Sequence, residues 1–134
     1  MILNTLCPFP LGNARTLEPL LKGQKTVTRR LWKLRHAQIF IKYFEQQTPI
    51  PAISKDRRCP DCVIVGSVTL TQLPYCEQLS DLPESDVIAE GFPHLSKKEF
   101  INQFFGGDDS LTVWVIRFNF TPNASRSLNF VLDK

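Results

Sequence analysis

The chain has 134 residues, 43% of them hydrophobic and 22% charged, a composition typical of one folded domain and not of a disordered chain. No stretch approaches the ~20 apolar residues that a membrane-spanning helix needs, and the start lacks the basic residues of a secretory signal. We therefore expect a cytoplasmic protein without a membrane partner, with cysteines in the reduced state.

The net charge of +3 is too small to indicate a polyanionic partner by itself, but its distribution is uneven. Residues 1–62 carry eleven Lys/Arg and four Asp/Glu, whereas residues 63–134 carry five and nine. Six basic residues and no acidic one lie between Lys22 and Arg35. This basic stretch either attracts a polyanion such as RNA or is a solvated surface balanced by the acidic half.

Hydrophobic periodicity predicts short elements separated by turns. In chain order they are a helix over Thr16–Lys22, a strand over Thr26–Leu31, a helix over His36–Gln47, a strand over Cys62–Leu73, helices over Pro83–Ala89 and Ser96–Phe105, a strand over Leu111–Phe120 and a last strand over Leu128–Leu132. Gly23 is expected as a left-handed helix cap and Gly66 as a bulge or close backbone approach. Ser96 and Glu99 form an S-x-x-E capping box.

This order lacks the alternation of strand and helix that builds a parallel sheet, and it contains no glycine-rich phosphate loop or internal repeat. It predicts an α+β fold, with a small mixed or antiparallel β-barrel and flanking short helices.

Three segments in this order resemble the ASCH family. They are Leu20–Arg30 with its K-T-x-T-R-R motif, Val65–Leu70, and Ile88–Phe92 followed by Ser96-x-x-Glu99-Phe100 and Val113–Phe120. The resemblance implies a PUA-like barrel and a single ASCH domain over residues 1–134. Within it, residues 32–61 would be an insertion and residues 121–134 a C-terminal extension.

The resemblance also implies a role in RNA metabolism, with RNA or a modified nucleoside as the ligand. One branch of the family removes the acetyl group of N4-acetylcytidine with a Lys, a Thr and a Glu, which match Lys25, Thr28 and Glu90. Other members are described as RNA-binding modules without chemistry or as single-strand ribonucleases. A fourth alternative, from the residues themselves, is a protein-interaction module that uses the tail Asn123–Lys134.

Amide hydrolysis by these residues would use Thr28 as nucleophile, Lys25 as base with a depressed pKa, and Glu90 as acid. Residues three apart on a regular strand face opposite sides, so Lys25 and Thr28 converge only if Lys25 lies in the glycine turn. The alternative is a surface lysine and an ordinary strand threonine.

Further candidates for ligand binding lie in the same motifs: Thr26, Arg29, Arg30, Trp32, Gly91 and Phe92. One arginine would hold a phosphate while the other pairs with the acidic half, near Glu84 or Asp86. Trp32 and Phe92 are candidates to stack on a base, and Phe92 is alternatively a core residue.

The sequence Cys59-Pro60-Asp61-Cys62 supplies half of a zinc site. Cys7 and Cys76 are the remaining cysteines, and no second C-x-x-C pair exists. We therefore predict no metal and no cofactor, with a site at these four cysteines as the alternative.

Overall fold

The structure is a computed structural model that describes residues 9–10, 22–53 and 64–122. These ranges contain six strands, β1 (Phe9–Pro10), β2 (Val27–Arg30), β3 (Ile50–Ile53), β4 (Ile64–Leu70), β5 (Tyr75–Gln78) and β6 (Thr112–Pro122). They also contain three α-helices, α1 (Leu34–Gln46), α2 (Glu84–Ala89) and α3 (Lys97–Phe105), and a 3-10 turn at Leu79–Asp81.

The long strand β6 organises the sheet. Its first half pairs antiparallel with β2 on one edge and with β5 on the other, and its second half pairs antiparallel with β4. Next to β4 lie β3, antiparallel, and β1, which runs parallel to β3. This arrangement confirms the predicted α+β class with a mixed sheet and short helices.

The strands that the structure describes do not close into the predicted barrel. Strand β2 borders only residues 114–117 of β6, whereas the path to β1 continues from the other half of β6. The two ends of the path are therefore displaced along β6, and the described sheet is open.

Two hydrophobic clusters cover opposite faces of the sheet, because successive residues of β6 alternate between them. One cluster packs α1 against β3, β4 and β6 and includes Phe40, Ile116 and Phe118. The other packs α2 and α3 against the opposite face and includes Phe100 and Val113. Strand β6 is thus covered on both sides, and β2 runs along its edge between the two clusters.

Local sequence signals explain several of these elements. Ser96 Oγ accepts a hydrogen bond from the Glu99 N–H at 3.1 Å, and Glu99 Oε1 accepts from the Ser96 N–H at 2.8 Å, which confirms the capping box. Gly66 is a close backbone approach, one of the two roles expected for it: a Cβ there would overlap the Thr121 carbonyl oxygen.

Some predicted elements lie outside the described residues. These are the helix over Thr16–Lys22 apart from Lys22, the last strand over Leu128–Leu132 and the tail Asn123–Lys134. None of the described helices is long and apolar enough to cross a membrane.

Candidate functional site

The segment ahead of β2 caps the C-terminal end of α2. The last carbonyl groups of a helix have no partner within the helix. Here the Thr26 N–H donates to the Ala89 carbonyl at 2.9 Å, and Lys25 Nζ donates to the Glu90 carbonyl at 2.8 Å. Lys25 Nζ also donates to the Val27 carbonyl at 3.1 Å. A cation is favourable at this end of a helix, so α2 and the start of β2 hold each other in place.

Two glycines shape the two sides of this contact. Gly23 has a φ of +76°, the left-handed conformation expected for it, and turns the chain two residues before Lys25. Gly91 has a φ of +105°, which side-chain-bearing residues rarely adopt, and it ends α2 directly after Glu90. The chain therefore reverses next to both residues, and their side chains meet.

Lys25 and Glu90 form a buried pair of opposite charge. Lys25 Nζ lies 3.6 Å from Glu90 Oε1, and the two residues are only 3% and 4% exposed. Burial lowers the pKa of Lys25 to about 8, against the attraction of the Glu90 carboxylate. Burial also raises the pKa of Glu90, against the attraction of Lys25 and Arg29. Both shifts favour the neutral forms, because burial penalises the charged ones.

Arg29 is bound by three carboxylates from different parts of the chain. Its Nε donates to Glu77 Oε1 at 2.9 Å, its Nη1 to Glu90 Oε2 at 3.2 Å, and its Nη2 to Asp86 Oδ2. The side chain is fully buried. The contact with Asp86 confirms the expectation that one of the two arginines pairs with the acidic half.

Arg117 extends this network. Its Nη2 donates to Asp86 Oδ2 at 2.6 Å, the same oxygen that Arg29 contacts, and its Nε donates to the Tyr75 hydroxyl at 3.2 Å. We call the connected set the buried charge cluster; its members are Lys25, Arg29, Glu77, Asp86, Glu90 and Arg117. Three cations face three carboxylates, so the cluster is formally neutral when all six groups are charged.

The hydrogen bonds of the cluster decide how its groups titrate. Burial works against the charge of Asp86, but the guanidinium groups of Arg117 and Arg29 lower the pKa of this carboxyl below its ordinary value. Burial likewise works against the charge of Arg29, but Glu77 and Asp86 raise its pKa. The Asp86 carboxylate is the main cause that raises the pKa of Arg117. These groups therefore keep their charges, whereas burial shifts Lys25 and Glu90 toward their neutral forms.

Thr28 lies on the other face of β2. In the ladder with β6 it is opposite Ile116, whereas Arg29 is opposite Val115, so the pleat points their side chains to opposite sides. Thr28 Oγ1 accepts a hydrogen bond from Arg30 Nε at 3.0 Å. Among the described contacts, none joins this hydroxyl to Lys25 or Glu90 by a hydrogen bond. The structure thus brings together two of the three residues that match the amidohydrolase branch.

Thr26 and Phe92, also predicted to bind the ligand, make contacts within the fold. Thr26 uses its backbone to bind α2 and, through its carbonyl, the Phe118 N–H at 2.9 Å. Phe92 is buried against Phe100 and Phe104, so its ring belongs to the core beneath α3.

Trp32 lies at the surface beyond the end of β2. It borders a groove of about 390 Å³ that is lined by Leu31, Trp32, Lys33, Arg35, His36 and Ile39. The sequence pointed to Trp32 and to the basic stretch. It did not indicate that the first turns of α1 would form the other wall of the groove, because the position of this helix beside β2 is set by tertiary packing.

Of the four cysteines considered for zinc, Cys7, Cys59 and Cys62 lie outside the described residues. Cys76 is exposed on β5. Within residues 9–10, 22–53 and 64–122, no group of three or more His, Cys, Asp or Glu side chains is placed to hold a metal ion.

Comparisons of the chain with protein-family models, with curated proteins and with solved structures found no match. Its function is therefore inferred from the residues and their geometry.

Proposed function

We propose that this chain is an RNA- or nucleoside-binding domain of RNA metabolism, similar to ASCH domains, and that Lys25 and Glu90 bind the nucleobase. The observation that supports this most strongly is the buried Lys25–Glu90 pair, with Nζ and Oε1 3.6 Å apart. A lysine N–H donor beside a carboxyl group matches the adjacent acceptors and amine donor of a cytosine edge. The mixed sheet with short flanking helices is compatible with a PUA-like relative, although the described strands leave it open.

The charge balance favours an uncharged part of the ligand at this position. Arg29 already donates to Glu77, Asp86 and Glu90, and its side chain is fully buried. A phosphate placed here would compete with these carboxylates and would be repelled by them. A neutral base meets no such penalty, so phosphates of the ligand belong outside the buried charge cluster.

The second candidate function is amide hydrolysis on N4-acetylcytidine or a related modified nucleoside. It is favoured by the burial that lowers the pKa of Lys25 to about 8, which makes the amine an effective base near neutral pH. Thr28 lies on the opposite face of β2 from Arg29, with its hydroxyl bound to Arg30, so in this reaction the nucleophile is a water whose proton Lys25 takes. The bond from the water oxygen to the acetyl carbon forms, the bond from that carbon to N4 breaks, and Glu90 supplies the proton that N4 gains. Acetate and the deacetylated nucleoside are the products.

One set of incubations tests both candidates. The protein is equilibrated separately with cytidine, N4-acetylcytidine and labelled single-stranded RNA, and bound ligand, released acetate and RNA fragments are measured. Lys25→Met and Glu90→Gln should each abolish nucleoside binding. Lys42→Met and Glu45→Gln, on the exposed side of α1, are the matched controls and should bind normally.

The outcomes separate the alternatives. Acetate release that both site variants abolish assigns the hydrolase, and RNA fragments would instead assign a ribonuclease. If neither nucleoside nor RNA is bound by the unmodified protein, the proposed function is wrong.

A further inference from the structure

A groove next to the basic stretch has the size and composition of a ligand site that the proposed function does not yet use. It lies between the end of β2 and the first turns of α1, and its volume of about 390 Å³ falls within the range of roughly 300–1,000 Å³ of small-molecule pockets. Leu31 on its wall and the neighbouring Leu34 are 57% and 58% exposed. Apolar side chains of this size that face water beside a groove often mark a surface that binds another molecule.

The aromatic wall of the groove is held in a fixed orientation. The Trp32 ring lies nearly parallel to the His36 ring, with centroids 4.2 Å apart and an angle of 11° between the planes. On the core side Trp32 also contacts the buried Phe40, at a centroid distance of 4.6 Å. A ring that is already ordered loses little entropy when a base stacks against it.

The charge around the groove suits a polyanion. Residues 22–44 contain seven Lys/Arg and no Asp or Glu. Two of these cations, Lys25 and Arg29, are buried among carboxylates, whereas Lys33 and Arg35 are exposed on the groove itself. Cations beside an aromatic ring are the combination that proteins use to bind single-stranded nucleic acids.

The groove and the Lys25–Glu90 pair lie at the two ends of β2. Lys25 precedes this four-residue strand, whereas Leu31 and Trp32 of the groove follow it directly. At roughly 3.3 Å per residue the strand alone is about 13 Å long, so a ligand that contacts both places must be several nucleotides long.

We propose that the groove binds one nucleotide of a single-stranded RNA, with its base against Trp32 and its phosphates at Lys33 and Arg35. This inference rests on the proposed function, because it takes the base at Lys25 and Glu90 to belong to the same RNA strand. It makes the ligand a single strand and not a free nucleoside. Phosphates are bound by exposed cations, and the buried charge cluster receives only a base.

Tryptophan fluorescence tests the groove directly. The chain has two tryptophans, so Trp114→Phe leaves Trp32 as the only source of the signal. A six-nucleotide oligocytidylate should quench this fluorescence on binding. Cytidine should bind without a comparable change, and a duplex of the same length should bind at least about tenfold more weakly, since its bases are already stacked on each other.

Charge variants supply the second measurement. Lys33→Gln combined with Arg35→Gln should weaken oligocytidylate binding roughly tenfold and reduce the salt dependence of the affinity, while cytidine binding stays unchanged. The matched control, Lys42→Gln with Lys98→Gln, removes the same charge from exposed positions away from the groove and should leave oligocytidylate affinity within about twofold of the parent protein.

Two outcomes would overturn the groove proposal: oligocytidylate that binds without quenching Trp32, or an equal loss of affinity in the groove and control variants. Either result, with cytidine binding still dependent on Lys25 and Glu90, would leave the proposed function intact. Because Lys33 and Arg35 are exposed, their variants are expected to fold, and the test does not depend on replacing the partly buried Trp32.

Discussion

Lys25 binds both the main chain and the side chain of Glu90: its Nζ lies 2.8 Å from the carbonyl oxygen and 3.6 Å from Oε1. The carbonyl belongs to the end of α2, so the helix end fixes the position of the amine. The amine is therefore held by the backbone, and Arg29, which donates to Glu90 Oε2, holds the carboxyl beside it.

The pKa of Lys25 should fall further in Glu90→Gln. Burial lowers this pKa to about 8, and the negative charge and hydrogen bonding of Glu90 hold it up. The neutral amide removes that support while keeping the size of the side chain. NMR titration of the lysine ammonium groups measures the shift. Glu45→Gln, an exposed change on α1, should leave the Lys25 pKa unchanged, and a higher pKa in Glu90→Gln would contradict the electrostatic account.

The stability of the protein should increase with pH between about 8 and 10.5 through Lys25. The folded-state pKa is about 8 and the ordinary value is 10.5, so in this interval the unfolded chain binds more protons than the native state. The linked gain in the free energy of unfolding is on the order of 3 kcal/mol.

Urea unfolding at several pH values compares the parent protein with Lys25→Met. The variant lacks the titrating group, so its free energy of unfolding should not show the rise between about pH 8 and 10.5. Parallel pH profiles for the two proteins would show that Lys25 does not have a depressed pKa.

Asp86→Asn should lower the free energy of unfolding by about 3 kcal/mol. Asp86 Oδ2 accepts from both Arg29 and Arg117, and removing the charge leaves the fully buried Arg29 with an incomplete set of partners. Chemical denaturation measures the change. Asp81→Asn, in the exposed part of the 3-10 turn, is the matched control and should change stability by less than about 0.5 kcal/mol.

Thr28→Val separates two versions of the hydrolase. If the hydroxyl of Thr28 is the nucleophile, the variant should release no acetate from N4-acetylcytidine and still bind it, because valine keeps the shape of the side chain. Acetate release that continues would assign the attack to water activated by Lys25. Thr112→Val, exposed at the start of β6, is the control for replacing a strand threonine.

Local signals predicted much of the fold. The capping box at Ser96 and Glu99, the apolar face of α1 and the alternation of β6 depend on neighbours in sequence, so the pattern itself contains the necessary information. The short strands β1, β3 and β5 were missed. β1 has two residues and the other two have four each, and β3 includes Pro51, so their pairing depends on neighbouring strands and not on a local pattern.

The candidate site was only partly predictable. One of Arg29 and Arg30 was expected to bind a phosphate and the other to pair with an acidic residue. No local sequence pattern indicates that Arg29 contacts three carboxylates at once, those of Glu77, Asp86 and Glu90. Those carboxylates lie 48, 57 and 61 positions further along the chain. The closeness of Lys25 and Glu90 followed from a motif resemblance and not from periodicity, because their separation of 65 residues is bridged only by the tertiary fold.

The buried charge cluster also bears on how the chain reaches its native state. Its six side chains come from β2 and the turn before it, from β5, from α2 and its end, and from β6. A partly folded chain keeps these groups hydrated, and removing their water becomes favourable only when all the oppositely charged partners arrive together. The cluster thus links the edge strand, the helix and the sheet into one cooperative unit. An intermediate that lacks any one of these elements is less stable, because some of the charged groups would lose their water without gaining a partner.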